Sequence, residues 1–251
     1  MTYSVFDERL PRLSVVVPVF NEKDNLLPLI TEITAAFRGG PDYELIYVDD
    51  GSDDGSTALL DDLANHHFPR LRVVSHHQRC GQSCALVTGI RLARGEWIAT
   101  LDGDGQNVPS DIQHLLFELI VARELDPSVV CIAGVRAKRN DSLVRCWSSR
   151  IANSLRSALL HDGVSDTGCG IKVFRRDAFL ALPLFDHVHR FMPALFQAGG
   201  GKVLQLPVAH RPRTAGNSKY GISNRLWVGI VDILGVRWLR KRTFTQSWPQ
   251  T

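Results

Sequence analysis

The chain has 251 residues, of which 44% are apolar and 8% aromatic, and its formal net charge is +3. This size and composition fit one large α/β domain with a single buried core, and a second full domain is not expected. A net charge this small does not indicate a nucleic-acid-binding protein. The basic residues crowd into the second half of the chain, so their distribution is more informative than their sum.

The cysteines form an odd set without paired spacing, and no apolar leader precedes the first predicted strand. They are Cys80, Cys84, Cys131, Cys146 and Cys169. This pattern predicts a reducing, cytoplasmic location without disulfides. No stretch reaches the roughly 18 uncharged apolar residues that span a bilayer, so no transmembrane helix is expected. The nearest candidate, residues 226–239, is interrupted by Asp232 and Arg237.

Apolar runs alternate with segments of helical spacing through the first half of the chain. Strands are predicted at 13–20, 43–48, 71–75, 96–101 and 129–135, and helices at 25–37, 56–66, 82–94 and from about residue 110. Strand alternating with helix is typical of right-handed βαβ units. The sequence therefore predicts a doubly wound, mostly parallel sheet flanked by helices.

The second half of the chain has a looser pattern. Helices are predicted at 142–160, 177–182 and 191–198, and strands at 171–174 and 203–208. Residues 211–224 are rich in Arg, Gly, Ser and Asn, which predicts a mobile loop. A final helix is predicted at 223–240 and ends in the basic cluster Arg240, Lys241 and Arg242.

Polar residues follow three of the first four predicted strands. Asn21 and Glu22 follow the first strand, an Asp49–Asp50 pair the second, and residues 102–106 the fourth. Ligands of open α/β sheets bind beyond the carboxyl ends of strands, so these segments should face one crevice. No G-x-G-x-x-G turn follows the first strand, which argues against a dinucleotide-dependent oxidoreductase.

Asp102 and Asp104 stand at i and i+2 on a turn opened by Gly103 and Gly105. Such a pair can bind one hard cation, Mg²⁺ or Mn²⁺, while a diphosphate supplies further oxygen ligands. An isolated D-x-D is more often a solvated turn. Its position after an apolar strand, near a second acidic strand end, favours the metal site.

The Asp49–Asp50 pair has two interpretations. One carboxylate can cap the helix that begins near Ser56. Because adjacent side chains diverge at a strand end, the other can turn outward and accept hydrogen bonds from a nucleobase or ribose. The crevice is thus predicted to bind a nucleoside diphosphate without a phosphate-cradling loop.

The segments VVVPVFNE, VDDGSDDGS and LDGDGQ, in this order, resemble those of glycosyltransferase family two. The similarity continues through residues 166–176 and 213–220 and covers about 13–242. Within the family, the chain is most similar to the dolichyl- and polyprenyl-phosphate glycosyltransferases, including bacterial relatives that serve lipopolysaccharide modification. The resemblance implies a GT-A fold and transfer of a sugar from a nucleotide-sugar donor to a polyprenyl phosphate.

The resemblance also implies roles for individual residues. The nucleoside would be held by Pro18, Phe20, Glu22 and Asp50. Asp102 and Asp104 would hold the metal and the diphosphate, and Gln106 would belong to the metal shell or contact the donor sugar. Arg213, Ser218 and Lys219 would lie on a loop that closes over the phosphates, with Asp104, Arg213 and Lys219 as the catalytic set.

The proposed acceptor has consequences for charge. A phosphate monoester with a second pKa of about 6 is already ionised near neutral pH, so it needs no general base, and direct displacement inverts the sugar carbon. Cations in the second half would hold it: Arg136, Lys138, Arg139, Arg145 and Arg150. Of these, Arg136 and Arg150, together with Ser218, are the predicted phosphate ligands, although a solvated basic face has the same composition. Asp166 either orients the acceptor or nearby arginines, or caps a turn.

The last helix is the predicted membrane contact. Its apolar face comprises Leu226, Trp227, Ile230, Ile233, Leu234 and Trp238. The basic residues at its end would meet anionic head groups, which places the protein peripherally on the inner face of the cytoplasmic membrane. A helix packed on the core or on a second copy in a homo-oligomer fits the same pattern. Family members often carry C-terminal transmembrane helices, but none is expected within these 251 residues.

The predicted organisation follows from these assignments. Residues 1–12 form an extension, 13–222 a catalytic domain with a nucleotide-sugar half (13–109) and an acceptor half (110–222), and 223–251 an interfacial or oligomerisation helix with a tail. The donor is either a UDP-sugar, favoured by the bacterial relatives, or GDP-mannose.

Other interpretations of the same residues stay open. A polysaccharide or other hydroxyl acceptor would need a carboxylate base, for which Asp166 is the candidate. A non-catalytic module that binds a nucleotide sugar is the alternative of another class. Four residues, His76, His77, Cys80 and Cys84, lie close together in sequence, but their spacing matches no standard zinc pattern. No zinc site is therefore predicted.

Overall fold

The computed structural model describes residues 12–136, 156, 159–160, 162–212 and 225–243, with side chains from 229 onward in the last range. In chain order its elements are β1 (Leu13–Val19), α1 (Lys23–Ala36), β2 (Tyr43–Asp49), α2 (Ser56–His66), β3 (Leu71–Ser75), α3 (Gln82–Leu92), β4 (Trp97–Thr100), α4 (Ser110–Leu125), β5 (Val129–Arg136), β6 (Lys172–Arg175), α5 (Arg176–Leu180), α6 (Val188–Ala198), β7 (Lys202–Val208) and α7 (Arg225–Arg242).

The strands form one sheet with the order β3-β2-β1-β4-β6-β5-β7. β1 pairs in parallel with β2 and β4, β2 with β3, and β5 with β7. β6 is antiparallel to both of its neighbours, β4 and β5. The predicted mostly parallel sheet is confirmed. The carboxyl ends of β1, β2 and β4 consequently meet at one edge.

Two apolar layers cover the sheet, one on each face. Along β1, Val15 and Val17 face the layer formed by α1, α2 and α4, while Val16 faces the layer formed by α3, α5 and α6. All three valines are fully buried. This burial on both faces explains why the strand has consecutive apolar residues and no alternation.

The predicted elements of the first half agree with the structure to within a few residues. In the second half, α6 begins at Val188, three residues before the predicted start, after His187 in a left-handed conformation (φ 65°). The HVHR sequence there lacks the apolar spacing that marks a helix. Most of the predicted 142–160 helix, and the predicted loop after residue 212, lie outside the described residues.

Helix α7 packs against α6, and its apolar side chains divide between the core and solvent. Val236 is 1% exposed and Ile233 packs against the core, whereas Leu234 and Trp238 are 55% and 61% exposed. The position of Ile233 agrees with the alternative of a helix packed on the core, and Leu234 and Trp238 are the apolar side chains that face solvent. The side chains of Leu226 and Trp227 lie outside the described residues.

Among the helices that the structure describes, none combines the length and apolar character that crossing a membrane requires.

Candidate functional site

The three polar strand ends lie together, as predicted. The backbone N–H of Asn21, after β1, donates to Ser52 Oγ at 2.8 Å, after β2. A Cβ atom on Gly103, after β4, would lie 2.6 Å from Cγ1 of Val19 at the end of β1. These contacts put the turns that follow β1, β2 and β4 around one crevice.

Asp102 is half-buried at the base of this crevice, two residues after β4. Gln82 Nε2, at the start of α3, donates to Asp102 Oδ1 at 3.0 Å. Burial, and next the negative charge of Asp104, raise the pKa of Asp102 to about 6. Nearby positive charge lowers the pKa of a carboxyl. The net upward shift therefore means that the surrounding positive charges and hydrogen bonds do not offset the cost of burying the ionised Asp102 beside Asp104.

The turn that carries Asp104 has its own hydrogen bonds. The Gln106 backbone N–H donates to Asp104 Oδ1 at 3.1 Å, and Gln106 Nε2 donates to the carbonyl of Arg211 at 3.4 Å. Carboxylate oxygens are the ligands that Mg²⁺ and Mn²⁺ prefer, so the donor set of Asp102 and Asp104 fits a hard divalent cation. The Gln106 side chain is directed towards Arg211.

Arg211 is a residue of this site that was not predicted from the sequence. Its Nε donates to the carbonyl of Gly105 at 2.6 Å, and its backbone N–H donates to the carbonyl of Gln106 at 3.0 Å. Its guanidinium also pairs with Glu32 of α1. Arg211 thereby anchors the chain that leads into residues 213–224 to the carboxylate turn. The predicted loop residues Arg213, Ser218 and Lys219 lie outside the described residues.

The two carboxylates after β2 point to different partners. Asp49 accepts hydrogen bonds from the hydroxyls of Ser52 and Thr57 near the start of α2. Asp50 accepts hydrogen bonds from the segment before α3, at Cys80 N (2.8 Å) and Gly81 N (2.7 Å).

Neither carboxylate of this pair turns into solvent. Asp49 is 0% and Asp50 3% exposed, so the predicted outward turn is wrong. The reason is that both carboxylates are used to fix loops, and Asp50 also contacts His76 Nδ1 at 2.9 Å. An ionised carboxylate offers about four lone-pair positions, which leaves Asp50 about one for a nucleoside.

The remaining predicted nucleoside residues lie along the same edge. The Arg79 guanidinium carbon stands 4.3 Å from the centre of the Phe20 ring, a cation–π distance. Glu22 Oε2 accepts a hydrogen bond from Asn25 Nδ2 at 2.7 Å at the start of α1. Pro18 lines the cavity beside Asp102. Arg79 was not predicted, and its position before α3 gave no sequence signal.

A cavity of about 140 Å³ opens beside Asp102. Its polar lining includes Gln82, Lys172, His189 and Arg190. Lys172 is 4% exposed and donates to the carbonyl of Cys169. Burial, and next the charges of Arg190 and Lys172, lower the pKa of His189 well below its usual value, so its ring is neutral. The cavity therefore has cationic side chains behind the carboxylate pair.

None of these four polar residues was assigned to the site from the sequence. Lys172 lies inside the segment 166–176 that carries the family resemblance, and this was the one available signal. The other three belong to the starts of α3 and α6, which the fold brings to Asp102 from distant parts of the chain.

Arg136 and Asp166 form a two-point ion pair at the end of β5. Arg136 Nε and Nη2 each donate at 2.7 Å to a different oxygen of Asp166. The side chains are only 14% and 8% exposed. Asp166 thus orients Arg136, which leaves Nη1 as the remaining terminal nitrogen for an anion. Arg150, with Lys138, Arg139 and Arg145, lies outside the described residues.

Comparison with known proteins identifies the family of the chain. The model of "Glycosyl transferase family 2" matches residues 14–182. The dodecaprenyl-phosphate galacturonate synthase of Rhizobium johnstonii is 38% identical over 229 residues, which cover 89% of this chain and 66% of the relative. The undecaprenyl-phosphate 4-deoxy-4-formamido-L-arabinose transferase of Enterobacter sp. strain 638 is 34% identical over 214 residues, 85% of this chain and 64% of the relative. This chain spans slightly less than two thirds of the length of these relatives.

The fold is likewise that of solved glycosyltransferases. A mannosyltransferase from Pyrobaculum calidifontis, solved in complex with GDP-Man and Mn²⁺, superposes with a TM-score of 0.62 at 21% identity, over 96% of this chain and 67% of that protein. The expected GT-A type fold is confirmed. With its family match over most of the sheet and its carboxylate pair after β4, the chain belongs to glycosyl transferase family 2.

Proposed function

We propose that the protein is an inverting glycosyltransferase that moves a sugar from a nucleotide-sugar donor to a polyprenyl phosphate for cell-envelope glycan or lipopolysaccharide modification. The proposal depends most on Asp102, which lies beside Asp104 and lines a cavity together with Lys172 and Arg190. Such a site can hold two anionic reactants, a diphosphate on the metal side and a phosphate on the cationic side. The named relatives act on dodecaprenyl and undecaprenyl phosphates, which supports the choice of acceptor.

Asp102 and Asp104 would hold a divalent cation, Mg²⁺ or Mn²⁺. The raised pKa of Asp102 supports this role, because an uncompensated carboxylate gains most from a cation. When bound, the ion supplies positive charge that stabilises a departing diphosphate. Mn²⁺ in the Pyrobaculum mannosyltransferase complex supports the same type of ion.

The chain's own residues would then position the two reactants. Phe20, Arg79 and Asp50 border the nucleoside end of the crevice. Lys172, Arg190 and Arg136 supply positive charge on the acceptor side, where an ionised phosphate attacks the sugar carbon directly. Arg213 and Lys219, on the segment anchored by Arg211, would stabilise the diphosphate as its charge grows.

The state of Asp166 favours a phosphate acceptor over a hydroxyl acceptor. A hydroxyl nucleophile needs a general base, and Asp166 is the candidate. Its two oxygens both accept hydrogen bonds from the Arg136 guanidinium. Hydrogen bonding to an arginine stabilises the ionised carboxylate and weakens it as a base. Asp166 is therefore assigned to positioning Arg136.

The protein would act peripherally at the inner face of the cytoplasmic membrane. The outward side chains of α7, Val231, Leu234 and Trp238, are all more than half exposed. Lys241 and Arg242 are exposed in its last turn, which suits an anionic surface, and the neighbouring Arg240 is half-buried.

A direct experiment tests the proposed reaction. Purified protein is incubated with undecaprenyl phosphate, Mg²⁺ or Mn²⁺, and a panel of UDP-sugars and GDP-mannose, and lipid-linked sugar phosphate is measured by mass spectrometry. Formation of product with release of the nucleoside diphosphate supports the proposal. Release of nucleotide that depends on an oligosaccharide acceptor would support the hydroxyl-acceptor alternative, and binding without turnover would support a non-catalytic module.

A further inference from the structure

Three side chains with metal-ligating atoms meet on the surface beside the nucleoside end of the crevice. One ligand atom each from His76, Cys80 and Cys84 lies within 4.8 Å of the other two. Both cysteines are exposed free thiols, so an ion can reach them from solvent. This set contacts Asp50 through His76 and shares no residue with the Asp102–Asp104 pair.

The chemistry of this set differs from that of the carboxylate pair. Thiolate and imidazole are ligands for thiophilic ions such as Zn²⁺ and Cd²⁺, whereas Mg²⁺ prefers oxygen. In a tetrahedral zinc site with Zn–S bonds of about 2.3 Å, two sulfurs stand roughly 3.8 Å apart. Since the ligand atoms lie at most 4.8 Å apart, reaching these distances requires a movement of about one ångström or less, which the exposed side chains of Cys80 and Cys84 can make by rotation.

Asp50 prepares the imidazole for this role. Its carboxylate can only accept, so the 2.9 Å contact with His76 Nδ1 puts the ring proton on Nδ1 and leaves the lone pair on Nε2. A carboxylate that fixes the far nitrogen of a ligating histidine is the usual outer partner in metal sites. Nε2 now contacts Thr88 Oγ1 at 3.0 Å, so an ion bound at Nε2 would replace this hydrogen bond.

Two further observations favour a cation at this position. Asp50 accepts backbone hydrogen bonds from Cys80 and Gly81, which fixes the segment that carries one thiol to the start of the helix that carries the other. Asp186 also lies close, since a Cβ atom on Gly81 would stand 3.8 Å from its Oδ1. The carboxylates of Asp50 and Asp186 therefore lie beside the segment that carries the two thiols, where their negative charge favours a bound cation.

We propose that His76, Cys80 and Cys84 form a binding site for one thiophilic divalent cation of the Zn²⁺ type, separate from the hard-cation site at Asp102 and Asp104. Three protein ligands leave the fourth tetrahedral position to a water molecule. Binding releases the two thiol protons to solvent, because the thiolate is the ligand. The bound ion would fix the segment 76–84 on Asp50.

Cd²⁺ titration of the reduced protein tests this site through the thiolate-to-metal charge-transfer absorption in the ultraviolet. We expect one equivalent to bind, and Zn²⁺ to compete with it. In the Cys80→Ser/Cys84→Ser variant the affinity should fall by more than roughly 100-fold, since losing ligands costs more than losing an outer partner. Asp102→Asn is the matched control, and it should retain the Cd²⁺ signal because it alters only the hard-cation site.

A second measurement does not depend on the folding of a variant. In the wild-type protein, Zn²⁺ should slow iodoacetamide labelling of Cys80 and Cys84 at least several-fold, as read by peptide mass spectrometry, and Mg²⁺ should not. Zn²⁺ should also raise the Tm of the wild type and leave that of the double variant unchanged. Labelling that Zn²⁺ leaves unchanged, or Cd²⁺ absorption equal in the wild type and the folded double variant, would overturn the proposal.

Discussion

A Cβ atom on Gly170 would lie 2.2 Å from Oδ2 of Asp102, so the carboxylate packs directly on the backbone that leads into β6. Only glycine leaves room for the side chain of Asp102 in this position. The antiparallel strand β6 thus fixes one of the two proposed metal ligands, although the two residues are far apart in the sequence.

Substituting Gly170 by alanine should displace the Asp102 carboxylate, because real Cβ contacts do not come this close. We expect Mn²⁺ affinity and sugar transfer to fall by about 10- to 100-fold, the usual effect of losing a partner that positions a metal ligand. Mn²⁺ binding is measured by calorimetry and transfer by product formation. The matched control is Gly235→Ala in α7, where a new Cβ meets no atom within 4 Å. Wild-type Mn²⁺ affinity in Gly170→Ala would contradict this account.

Asp102→Asn and Asp104→Asn should each lower transfer by roughly 1000-fold, since the metal contributes several kcal/mol to stabilising the leaving group. EDTA should abolish transfer in the wild type, and Mg²⁺ or Mn²⁺ should restore it. Circular dichroism checks that both variants stay folded. Undiminished turnover in metal-free buffer would show that the pair has another role.

The same Asp102→Asn change should stabilise the metal-free protein above pH 6. The pKa of Asp102 is about 6 in the folded protein, against 3.8 for an unperturbed aspartate, so the folded protein binds the proton more tightly than the unfolded chain. Stability is therefore lost as pH rises from about 4 to 6, by up to about 3 kcal/mol. The variant should lack this loss and melt higher than the wild type at pH 7.5 without metal. Parallel pH dependence of Tm in the two proteins would contradict the prediction.

The Arg136–Asp166 pair should act as one unit on the acceptor. Arg136→Ala and Asp166→Ala should each raise the KM for polyprenyl phosphate by about tenfold, and the double variant should be no worse than either single variant. Arg136→Lys should rescue little, because lysine cannot make the two-point contact. The KM for the donor should stay the same. If the effects of the two single variants added up in the double variant, or if only the donor KM changed, Asp166 would not act by positioning Arg136.

Arg213→Ala and Lys219→Ala should lower kcat more than they weaken donor binding, because their charges are worth most when the diphosphate leaves. Arg79→Ala provides the contrast. It stacks on Phe20 and should mainly raise the donor KM. Steady-state kinetics at saturating acceptor separate the two effects. If Arg213→Ala and Lys219→Ala only raised the donor KM and left kcat unchanged, the loop would bind the donor before reaction and would not stabilise the transition state.

The exposed side chains of α7 should mediate contact with membranes. Leu234→Glu and Trp238→Glu should reduce binding to anionic vesicles, and charge reversal at residues 240–242 should do so at low salt only. Point changes are preferable to truncation, because Val236 of the same helix is buried. Leu125→Glu, at an 85% exposed site at the end of α4, is the matched control. Vesicle binding unaffected by the α7 changes would locate the contact elsewhere.

Local patterns were sufficient to predict the parallel half of the fold. Strands buried on both faces leave consecutive apolar residues, as in β1, and each is followed by a helix whose spacing is visible in the sequence. The position of β6 between β4 and β5 was not predictable in this way, because it depends on contacts between distant segments. The same limit explains why membrane contact and core packing both stayed open for α7, since Ile233 contacts the core only through the packing of α7 on α6.

In the candidate site, too, residues with a local sequence pattern could be predicted, and residues brought together by the fold could not. Asp102 and Asp104 stand out because a strand-end turn with two carboxylates has a local signature. Lys172 and Arg190 do not, since their proximity to Asp102 is created by the sheet order and by the start of α6. The burial of Asp50 was also hidden, because its partners at residues 76–81 belong to another βα connection.

The most direct test of the central claim is a metal-dependent transfer assay with undecaprenyl phosphate and the donor panel, run in parallel on the wild type and Asp102→Asn. We expect a lipid-linked sugar monophosphate of inverted anomeric configuration, formed by the wild type only when Mg²⁺ or Mn²⁺ is present, and at least about 100-fold less product from Asp102→Asn. Equal product from the two proteins, or product of retained configuration, would contradict it.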